Sequence, residues 1–543
     1  MLRITELRLP IDHAPADLAK AIAQRLKLGK SEHLDFTIFK RSYDARKNVA
    51  LAFIYIVDVV LANEQMVLKN CIGDDQIRLA PDTNYHFVTQ APEGMKERPV
   101  VIGFGPCGIF AALVLAQMGF KPIVLERGKP VRERTQDTWA LWRKNSLNPE
   151  SNVQFGEGGA GTFSDGKLYS QIKDPQFYGR KVMHEFVLAG APAEILFVAK
   201  PHIGTFRLVG VVEKMRQEII RLGGEIRFLS KVVGLRIEDQ AMKAVQLEGG
   251  DEVLANHVVL ALGHSARDTF KALFDVGVFM EAKAFSVGFR IEHPQSLIDR
   301  ARLGSHAGNP LIGAADYKLV HHAKNGRTVY SFCMCPGGMV VAAASEPHCV
   351  VTNGMSQYSR NERNANAGIV VGITPADFLP GTQSGSGPVH PLAGIEFQRA
   401  IEANAYILGG STYEAPGQLV GDFLAARASQ EFGTVLPSYQ PGVHLTDLSA
   451  SLPSYAIEAI REAIPVFEKK IKGFSMADAV LTGVETRTSA PLRITRGTNY
   501  QSINIKGLYP AGEGAGYAGG ILSAGVDGIK VAEALALDLV NRR

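Results

Sequence analysis

Residues 99–126, PVVIGFGPCGIFAALVLAQMGFKPIVLE, contain the pattern on which the prediction of the fold rests. The segment predicts an apolar strand over residues 99–102, a glycine-rich turn, a helix rich in alanine, and a second strand over residues 121–125. Short apolar strands joined by a helix are typical of a parallel sheet that is covered on both faces. We therefore predict a βαβ unit of the kind that binds dinucleotides.

The turn of this unit carries three glycines with the spacing GxGxxG, at Gly103, Gly105 and Gly108. The first permits the tight turn, the second lets a pyrophosphate approach the backbone, and the third lets the helix pack on the sheet. Free N–H groups at the start of the helix then face the phosphates. We expect further contacts to the dinucleotide from Pro106 and Cys107.

Glu126 follows the second strand, about 20 residues beyond the first glycine, where this fold places an acidic residue. A carboxylate at this point accepts hydrogen bonds from ribose hydroxyls and repels a 2′-phosphate. The residue therefore favours FAD or NAD over NADP. The adjacent Arg127 is included among the predicted cofactor contacts.

The choice between FAD and NAD rests on residues 508–521, LYPAGEGAGYAGGI, which precede a predicted helix. This segment resembles the second FAD fingerprint of the glutathione-reductase-like flavoproteins, in which a strand ends in Gly-Asp and the next helix begins beneath the flavin. A helix N-terminus in that place stabilises negative charge on the reduced ring. This chain has a glutamate where the family has the aspartate. The resemblance implies FAD contacts from Gly512, Glu513, Gly519, Gly520 and Ile521.

Two regions between the fingerprints fit the same family. The glycine loop over residues 155–168, FGEGGAGTFSDGKL, resembles loops that run beside the isoalloxazine ring, and its consecutive N–H groups can bind flavin or pyrophosphate. A purely structural hairpin is the alternative. Val232 stands where the family has a backbone contact to adenine, and Gly263 stands in a strand end similar to the family's Ala-Thr-Gly. The loop residues implied as contacts are Gly158, Gly159, Gly161, Thr162 and Ser164.

The chain as a whole is similar to a group of bacterial FAD-dependent dehydrogenases. The shared strings are FGEGGAGTFSDGKL, FCMCPGG, VETRTSAPLRI and YPAGEGAGYAGGI. This resemblance covers nearly the full length and implies FAD and an oxidoreductase fold. It implies little about the substrate, because the group has no settled reaction.

The predicted fold class is α/β, and four regions are expected. Residues 1–95 form a small ferredoxin-like α/β module, because a βα pair is followed by two alternating strands. Residues 96–284 and 491–543 form a Rossmann-like FAD-binding domain of the glutathione-reductase type. Residues 285–490 form an inserted α+β substrate domain, since no second GxGxxG follows a predicted strand and no separate NAD(P)H domain is visible.

Candidate catalytic residues are Cys333, Cys335, Arg487 and Ser489. A CxC motif beside flavin is a candidate redox dithiol, although a regular strand would hold the two thiols on one face about 7 Å apart. A wall of the substrate pocket and buried apolar cysteines are the alternatives. The arginine is a candidate for binding an anionic substrate or the flavin phosphates, and salt bridging between domains is its alternative role. No metal site is predicted.

Composition describes an ordinary globular chain of 543 residues with a net charge of +4 and a mean hydropathy of +0.02. The longest apolar runs fall short of the roughly 20 residues that span a bilayer, and the first residues lack the apolar core of a signal peptide. Five cysteines, an odd number, argue against a disulfide framework and for a reducing compartment. We expect a cytoplasmic location and a small-molecule substrate.

The leading functional prediction is an FAD-dependent oxidoreductase that transfers a hydride between flavin N5 and an organic substrate, either neutral or anionic. NAD(P)H is a candidate external electron donor. One alternative is a flavin-dependent protein that modifies or binds RNA, because Lys40, Arg41, Arg46 and Lys47 lie between two predicted strands of the first module. The charge of the chain does not itself require nucleic acid. Another alternative is a flavin-bound regulatory protein without catalysis.

Overall fold

The computed structural model of the protein describes residues 1–29, 34–44, 50–378 and 388–541. The predicted basic residues Arg46 and Lys47 and the glycine run over residues 381–387 lie outside these ranges. The first module has the order βαββαβ, and its antiparallel sheet has the strand order β2-β3-β1-β4. Its elements are β1 (Leu2–Pro10), α1 (Pro15–Arg25), β2 (Asp35–Asp44), β3 (Ala52–Val60), α2 (Glu64–Asn70) and β4 (Ile77–Leu79).

The second region begins with the predicted βαβ unit. Its elements are β5 (Val100–Ile102), α3 (Pro106–Gln117), β6 (Ile123–Leu125), α4 (Val131–Lys144), α5 (Tyr178–Leu188), α6 (Thr205–Arg221), β7 (Glu225–Arg227), β8 (Val232–Glu238), β9 (Ala241–Leu247), β10 (Glu252–Leu254), β11 (Val258–Leu260), α7 (Arg267–Asp275) and β12 (Met280–Ala282). The helix of the unit begins directly at Pro106, earlier than the run of alanines suggested, because the fixed φ of proline suits the first helical position.

The third region carries most of the antiparallel strands. Its elements are β13 (Phe285–Pro294), α8 (Gln295–Leu303), β14 (Val320–His322), β15 (Thr328–Ala342), β16 (Thr352–Ser356), β17 (Asn364–Ile373), α9 (Ala393–Leu408), β18 (Ala415–Leu419), α10 (Val420–Leu424), β19 (Val443–Leu445), α11 (Ser454–Glu468) and β20 (Val480–Glu485). These strands form an eight-stranded sheet in which β16 pairs only with β15. The remaining path is β14-β15-β17-β13-β20-β18-β19.

The chain then returns to the second region with β21 (Leu492–Ile494), β22 (Leu508–Pro510) and α12 (Ile521–Asn541). Strand β22 completes a five-stranded parallel sheet of order β22-β11-β5-β6-β7. Smaller sheets are formed by β10-β9-β8 and by β12-β21. Short 3-10 turns lie at Ala160–Phe163, Ala193–Leu196, Gly304–His306, Pro375–Phe378 and Leu448–Ala450.

Strands β5, β6, β11 and β22 of the parallel sheet are buried on both faces, which explains their apolar sequences. The edge strand β7 is only partly buried and contains Glu225 and Arg227. Val101 of β5 joins the core that α3 and α12 cover, whereas its neighbours Val100 and Ile102 join the core on the opposite face. The two helices approach closely at Gly528 of α12, where a Cβ would lie 2.3 Å from the carbonyl oxygen of Cys107. The sheet and these helices thus fix the glycine turn at one edge.

Membrane-spanning potential was assessed for every described helix. Within the parts of the chain that the structure describes, no helix combines the length and the apolar character needed to cross a bilayer.

Candidate cofactor-binding site

A cavity of about 460 Å³ opens at the carboxyl edge of the parallel sheet. Its floor is formed where β5, β6 and β11 end, and ligands of open α/β sheets bind in crevices at this edge. Residues of the eight-stranded sheet region, including Phe332 and Asn353, close another side. The predicted site residues that line the cavity are Gly103, Gly105, Pro106, Cys107, Glu126, Arg127, Gly159, Gly161, Ser164, Val232, Gly263, Cys333, Arg487, Glu513, Gly519, Gly520 and Ile521.

Six predicted site residues lie outside the cavity lining: Gly108, Gly158, Thr162, Cys335, Ser489 and Gly512. Ser489 accepts a hydrogen bond from Lys283 Nζ at 3.1 Å, so its hydroxyl joins the segment after β12 to the segment before β21. Its neighbour Thr488 lines the cavity instead. Gly158 has a left-handed φ of 84° and donates its N–H to the carbonyl of Phe104. These positions shape the loops of the site.

The glycines of the first loop meet strict steric limits. A Cβ on Gly103, which has a φ of 95°, would lie 2.5 Å from the carbonyl oxygen of Ala261. A Cβ on Gly108 would lie 1.9 Å from the carbonyl oxygen of Gly103, so the helix and the turn are in contact there. By contrast, a Cβ on Gly105 would meet the protein only at an ordinary 3.6 Å, because that glycine borders the cavity.

Two helix N-termini border this space. Gly105 precedes α3 without a capping side chain, and the first turn of that helix has no acidic residue. Helix α12 begins at Ile521, a cavity-lining residue, and its first turn also lacks acids. Helix N-termini without acidic residues favour phosphate and other negatively charged groups. The residues present therefore fit a dinucleotide, and a phosphate-bearing cofactor would satisfy the N–H donors of these helix N-termini.

Glu126 has a different immediate role from the predicted one. Its carboxylate is buried and accepts hydrogen bonds from the backbone N–H groups of Phe104, Gly128 and Gly156 at 2.8, 2.9 and 3.0 Å. The residue thus ties the first glycine loop to the second. Because Oε2 accepts only one of these bonds and the residue lines the cavity, contact with a ribose hydroxyl remains a prediction.

Arg134 of α4 was missed by the sequence interpretation, although it holds the second glycine loop. Its fully buried guanidinium donates to the carbonyl oxygens of Asn152, Val153, Glu157 and Gly159 at 2.6 to 2.9 Å. Burial lowers the pKa of this arginine to about 10. No pattern in the sequence distinguishes it from the exposed arginines of the same amphipathic helix.

We expect Arg134→Met to lower the free energy of unfolding by at least about 3 kcal/mol, because four buried carbonyls lose their donor. Flavin retention should fall with it. Urea unfolding monitored by circular dichroism measures the first effect. Arg143→Met is the matched control, since Arg143 is exposed on the same helix and stacks only on Trp139. Equal losses in the two variants would contradict the role assigned to Arg134.

The C-terminal fingerprint is held by its own contacts. Glu513 lines the cavity and accepts a hydrogen bond from Ala490 N at 2.9 Å, and burial raises its pKa. Gly512 donates its N–H to Asp527 of α12 at 2.8 Å. The same aspartate forms a salt bridge with Arg496 at 2.6 Å.

Arg487 lies in the cavity wall within a buried ionic network. It donates to both carboxylate oxygens of Glu402 and to the hydroxyls of Ser265 and Ser345 at 2.6 to 3.1 Å. Arg267 binds the same carboxylate on its other side. Burial opposes the charge of Glu402, but the two arginines outweigh it and hold the pKa of that carboxyl well below its usual range. Arg487 and Glu402 both lie within residues 285–490, so this salt bridge does not join two of the predicted regions, whereas Arg267 reaches Glu402 from residues 96–284.

Glu346, Cys349 and Glu402 place ligand atoms within 4.8 Å of one another. Three arginines already bind the two carboxylates: Arg267 binds both, Arg399 binds Glu346, and Arg487 binds Glu402. Because cations occupy these oxygens, the cluster is a set of ion pairs, and we assign it no metal.

The cavity wall contains Lys167, whose pKa is raised, and His264, whose pKa is lowered. Burial disfavours the lysine's charge, but Cys335, Cys333 and Asp165 outweigh that effect and raise its pKa. For His264, burial and then the charges of Arg487 and Arg267 lower the pKa to about 3. At neutral pH the wall therefore presents a protonated lysine and a neutral histidine.

The basic stretch of the first module is partly engaged in packing. Arg41 donates its backbone N–H to the carbonyl of Phe197 at 2.6 Å, and its guanidinium lies over the rings of Phe53 and Phe197. This contact joins the edge strand β2 to the second region. These contacts explain the presence of Arg41 at this position without an RNA partner.

Comparisons with known proteins bear on this site. Residues 284–488 match the family described as the C-terminal domain-like region of FAD-dependent proteins, and residues 1–60 match a domain of unknown function. An uncharacterized protein of Clostridium beijerinckii is 48% identical over 533 residues, which cover 98% of each chain. The expectation of an FAD-dependent family is thereby confirmed.

Similarity to solved structures is weak. The L-proline dehydrogenase of P. horikoshii is 12% identical, with a TM-score of 0.33 over 82% of this chain and 94% of that one. The fructosyl amine:oxygen oxidoreductase of Aspergillus fumigatus is 12% identical, with a TM-score of 0.37 over 82% and 88%. On the strength of the full-length match and the domain match, the chain belongs to the same family of FAD-dependent proteins as the C. beijerinckii protein.

Proposed function

We propose that the protein is an FAD-dependent oxidoreductase that exchanges a hydride with an organic, anionic substrate. The observation that carries the proposal is the meeting of both fingerprint loops and two helix N-termini at one cavity. Helix N-termini bind negatively charged groups. Both N-termini border the cavity that one dinucleotide would occupy. When bound, FAD supplies hydride chemistry at N5.

In this proposal the FAD-binding region is of the glutathione-reductase type, the first module is ferredoxin-like, and residues 285–490 form the substrate domain. The βαββαβ order and the β2-β3-β1-β4 sheet support the ferredoxin-like assignment of the first module. The pyrophosphate would lie against the N-terminus of α3 and the flavin ring against that of α12, with ribose contacts from Glu126 and adenine contacts from Val232. Glu513 would hold the ribityl chain.

The chemistry of the wall supports an anionic substrate. Lys167 is a partly buried cation in the lining, and its partner Asp165 is also bound by Arg360 at 2.5 Å, so two cations face one carboxylate. Such a cation attracts and orients a carboxylate or phosphate group. Because its pKa is lowered so far, His264 is able to accept a hydrogen bond or donate its single N–H, but it is not a proton donor of the imidazolium type at neutral pH.

The absence of a second predicted nucleotide fold supports reduction by the substrate itself or by NAD(P)H held at the same cavity. We place the protein in the cytoplasm, on the cysteine content alone.

Anaerobic titration of the flavin-loaded protein tests the reaction class. We expect NADPH, NADH or a member of an anionic metabolite screen to bleach the flavin absorption. Bleaching by NADPH would make the protein a reductase, whereas bleaching only by a metabolite would make it a dehydrogenase. A flavin that dithionite reduces and no metabolite or nicotinamide reduces would contradict catalysis and favour a regulatory role.

Lys167→Met tests the substrate class on the same preparation. We expect the concentration of the active anionic reductant that half-bleaches the flavin to rise at least about tenfold, equivalent to ~1.4 kcal/mol of lost binding. Lys200→Met is the matched control, because Lys200 is exposed and pairs with Asp316. An unchanged titration in Lys167→Met would exclude this lysine as the anion contact.

A further inference from the structure

A β-bulge interrupts β15 at its CxC motif. Phe332 pairs with Gly368 of β17 and Cys335 pairs with Asn366, so β15 contains one more residue than its partner strand between these pairs. Cys333 takes a left-handed φ of 41° within the bulge. A regular strand would separate the two thiols by about 7 Å. The bulge instead places Cys335 Sγ 3.3 Å from the carbonyl oxygen of Cys333.

The two cysteines differ in their access to the cavity. Cys333 lines it, whereas Cys335 is fully buried behind it and donates its thiol to the carbonyl oxygen of Cys333 at 3.3 Å. Both are free thiols. The pair thus has one member that a small molecule can reach from the cavity and one that is buried.

Two cations, the buried Arg290 and the partly buried Lys167, hold the bulge in place. Arg290 donates to the carbonyl oxygen of Cys333 at 2.8 Å, and Lys167 donates to the carbonyl oxygen of Met334. The neighbouring thiol of Cys335 and then the charges of Lys167 and Arg290 lower the pKa of Cys333, against the effect of burial. The neighbouring thiol of Cys333 and burial raise the pKa of Cys335. Cys333 is therefore the better nucleophile of the pair.

We propose that Cys333 and Cys335 form a thiol–disulfide exchange site whose substrate is a small organic disulfide that enters the cavity. The thiolate of Cys333 attacks one sulfur of that disulfide, its S–S bond breaks, and one thiol leaves with a proton from solvent. Cys335 then loses its proton and attacks Cys333 Sγ, which releases the second thiol. The pair is oxidised by two electrons and the external disulfide is reduced to two thiols. These steps require no flavin.

The test uses the full chain and hydroxyethyl disulfide, a small uncharged disulfide, as the probe. Residues 328–360 form one tryptic peptide that contains Cys333, Cys335 and Cys349, so the C349S variant isolates the pair. After exposure, acid quenching and alkylation, we expect that peptide to lose two free thiols and to carry an internal disulfide. Cys71 and Cys107 should remain reduced, because both thiols are buried and burial raises the pKa of Cys107, which lines the same cavity.

The single variants separate the two roles. We expect C335S and C335A to accumulate a mixed disulfide on Cys333, and C333S to form neither product. Matching circular dichroism spectra and melting curves would show that each variant is folded. Retention of both thiols in C349S, a mixed disulfide on Cys335 in C333S, or the absence of any adduct in both Cys335 variants would overturn the proposal.

Discussion

Replacing Gly108 with alanine is expected to displace the first glycine loop and to release the flavin. The added Cβ would lie 1.9 Å from the carbonyl oxygen of Gly103, and a backbone atom cannot rotate away as a side chain would. Helix α3 would have to move off the turn, together with the N–H groups that face the cavity. We expect a loss of about 3 kcal/mol, at the upper end for overpacking, and flavin retention at least about tenfold weaker.

Gly210→Ala is the matched control for this substitution. Gly210 lies inside α6, and a Cβ there would meet nothing within 4 Å. Because glycine weakens a helix interior, this change should raise stability by roughly 0.5–1 kcal/mol and leave the flavin bound. Urea unfolding and the flavin-to-protein absorbance ratio measure both effects. If Gly108→Ala kept its flavin and stability, the loop would not have the tight contact described.

Glu402→Gln is expected to cause the largest loss of stability among conservative changes to a charged side chain. Its carboxylate lies between the buried guanidiniums of Arg267 and Arg487, with donor distances of 2.8 to 3.1 Å. The amide removes the negative charge and leaves two buried cations facing each other. Breaking a buried pair in this way costs about 3–5 kcal/mol.

The effect of Glu402→Gln should depend on pH. The pKa of Glu402 is depressed in the folded chain, so its contribution is fully present above the unfolded value of about 4.3 and is lost as pH falls below it toward the folded pKa. The variant should therefore differ most from the wild type at neutral pH and converge with it in acid. Urea midpoints measured from pH 7 down to pH 3 follow this trend.

Glu396→Gln provides the control, because Glu396 is exposed in the first turn of the same helix and pairs with Arg399 at the surface. A surface pair contributes about 0–1 kcal/mol. A pH-independent difference between Glu402→Gln and the wild type would show that the amide acts through packing rather than charge.

The parts of the fold that follow local rules were accessible from the sequence. The strand, turn and helix at residues 99–126 are each dictated by nearby residues, and the structure has them with boundaries shifted by a few positions. The segment around Gly512 and Glu513 could be placed because it resembles a known fingerprint. The steric reasons for Gly108 and Gly519 lie nearby, at Gly103 and Glu513. Those for Gly103 and Gly512 lie far along the chain, at Ala261 and Cys107.

The parts that depend on distant contacts were not accessible. Arg134 acts on carbonyls up to 25 residues away, and nothing in its helix marks it as buried. The bulge at Cys333 depends on how β15 pairs with β17, so a regular strand was the natural expectation for the CxC motif. Arg487 was predicted as a candidate catalytic residue and lies in the cavity wall, but its partner Glu402 lies 85 residues away.

The flavin content of the purified protein tests the central claim, that this cavity holds FAD. We expect flavin absorption bands in the protein as isolated or after incubation with FAD, and release of about one FAD per chain on heat denaturation. The Gly108→Ala variant, prepared in parallel, should release far less. A colourless protein that takes up no FAD, or one that releases NAD instead, would contradict the claim.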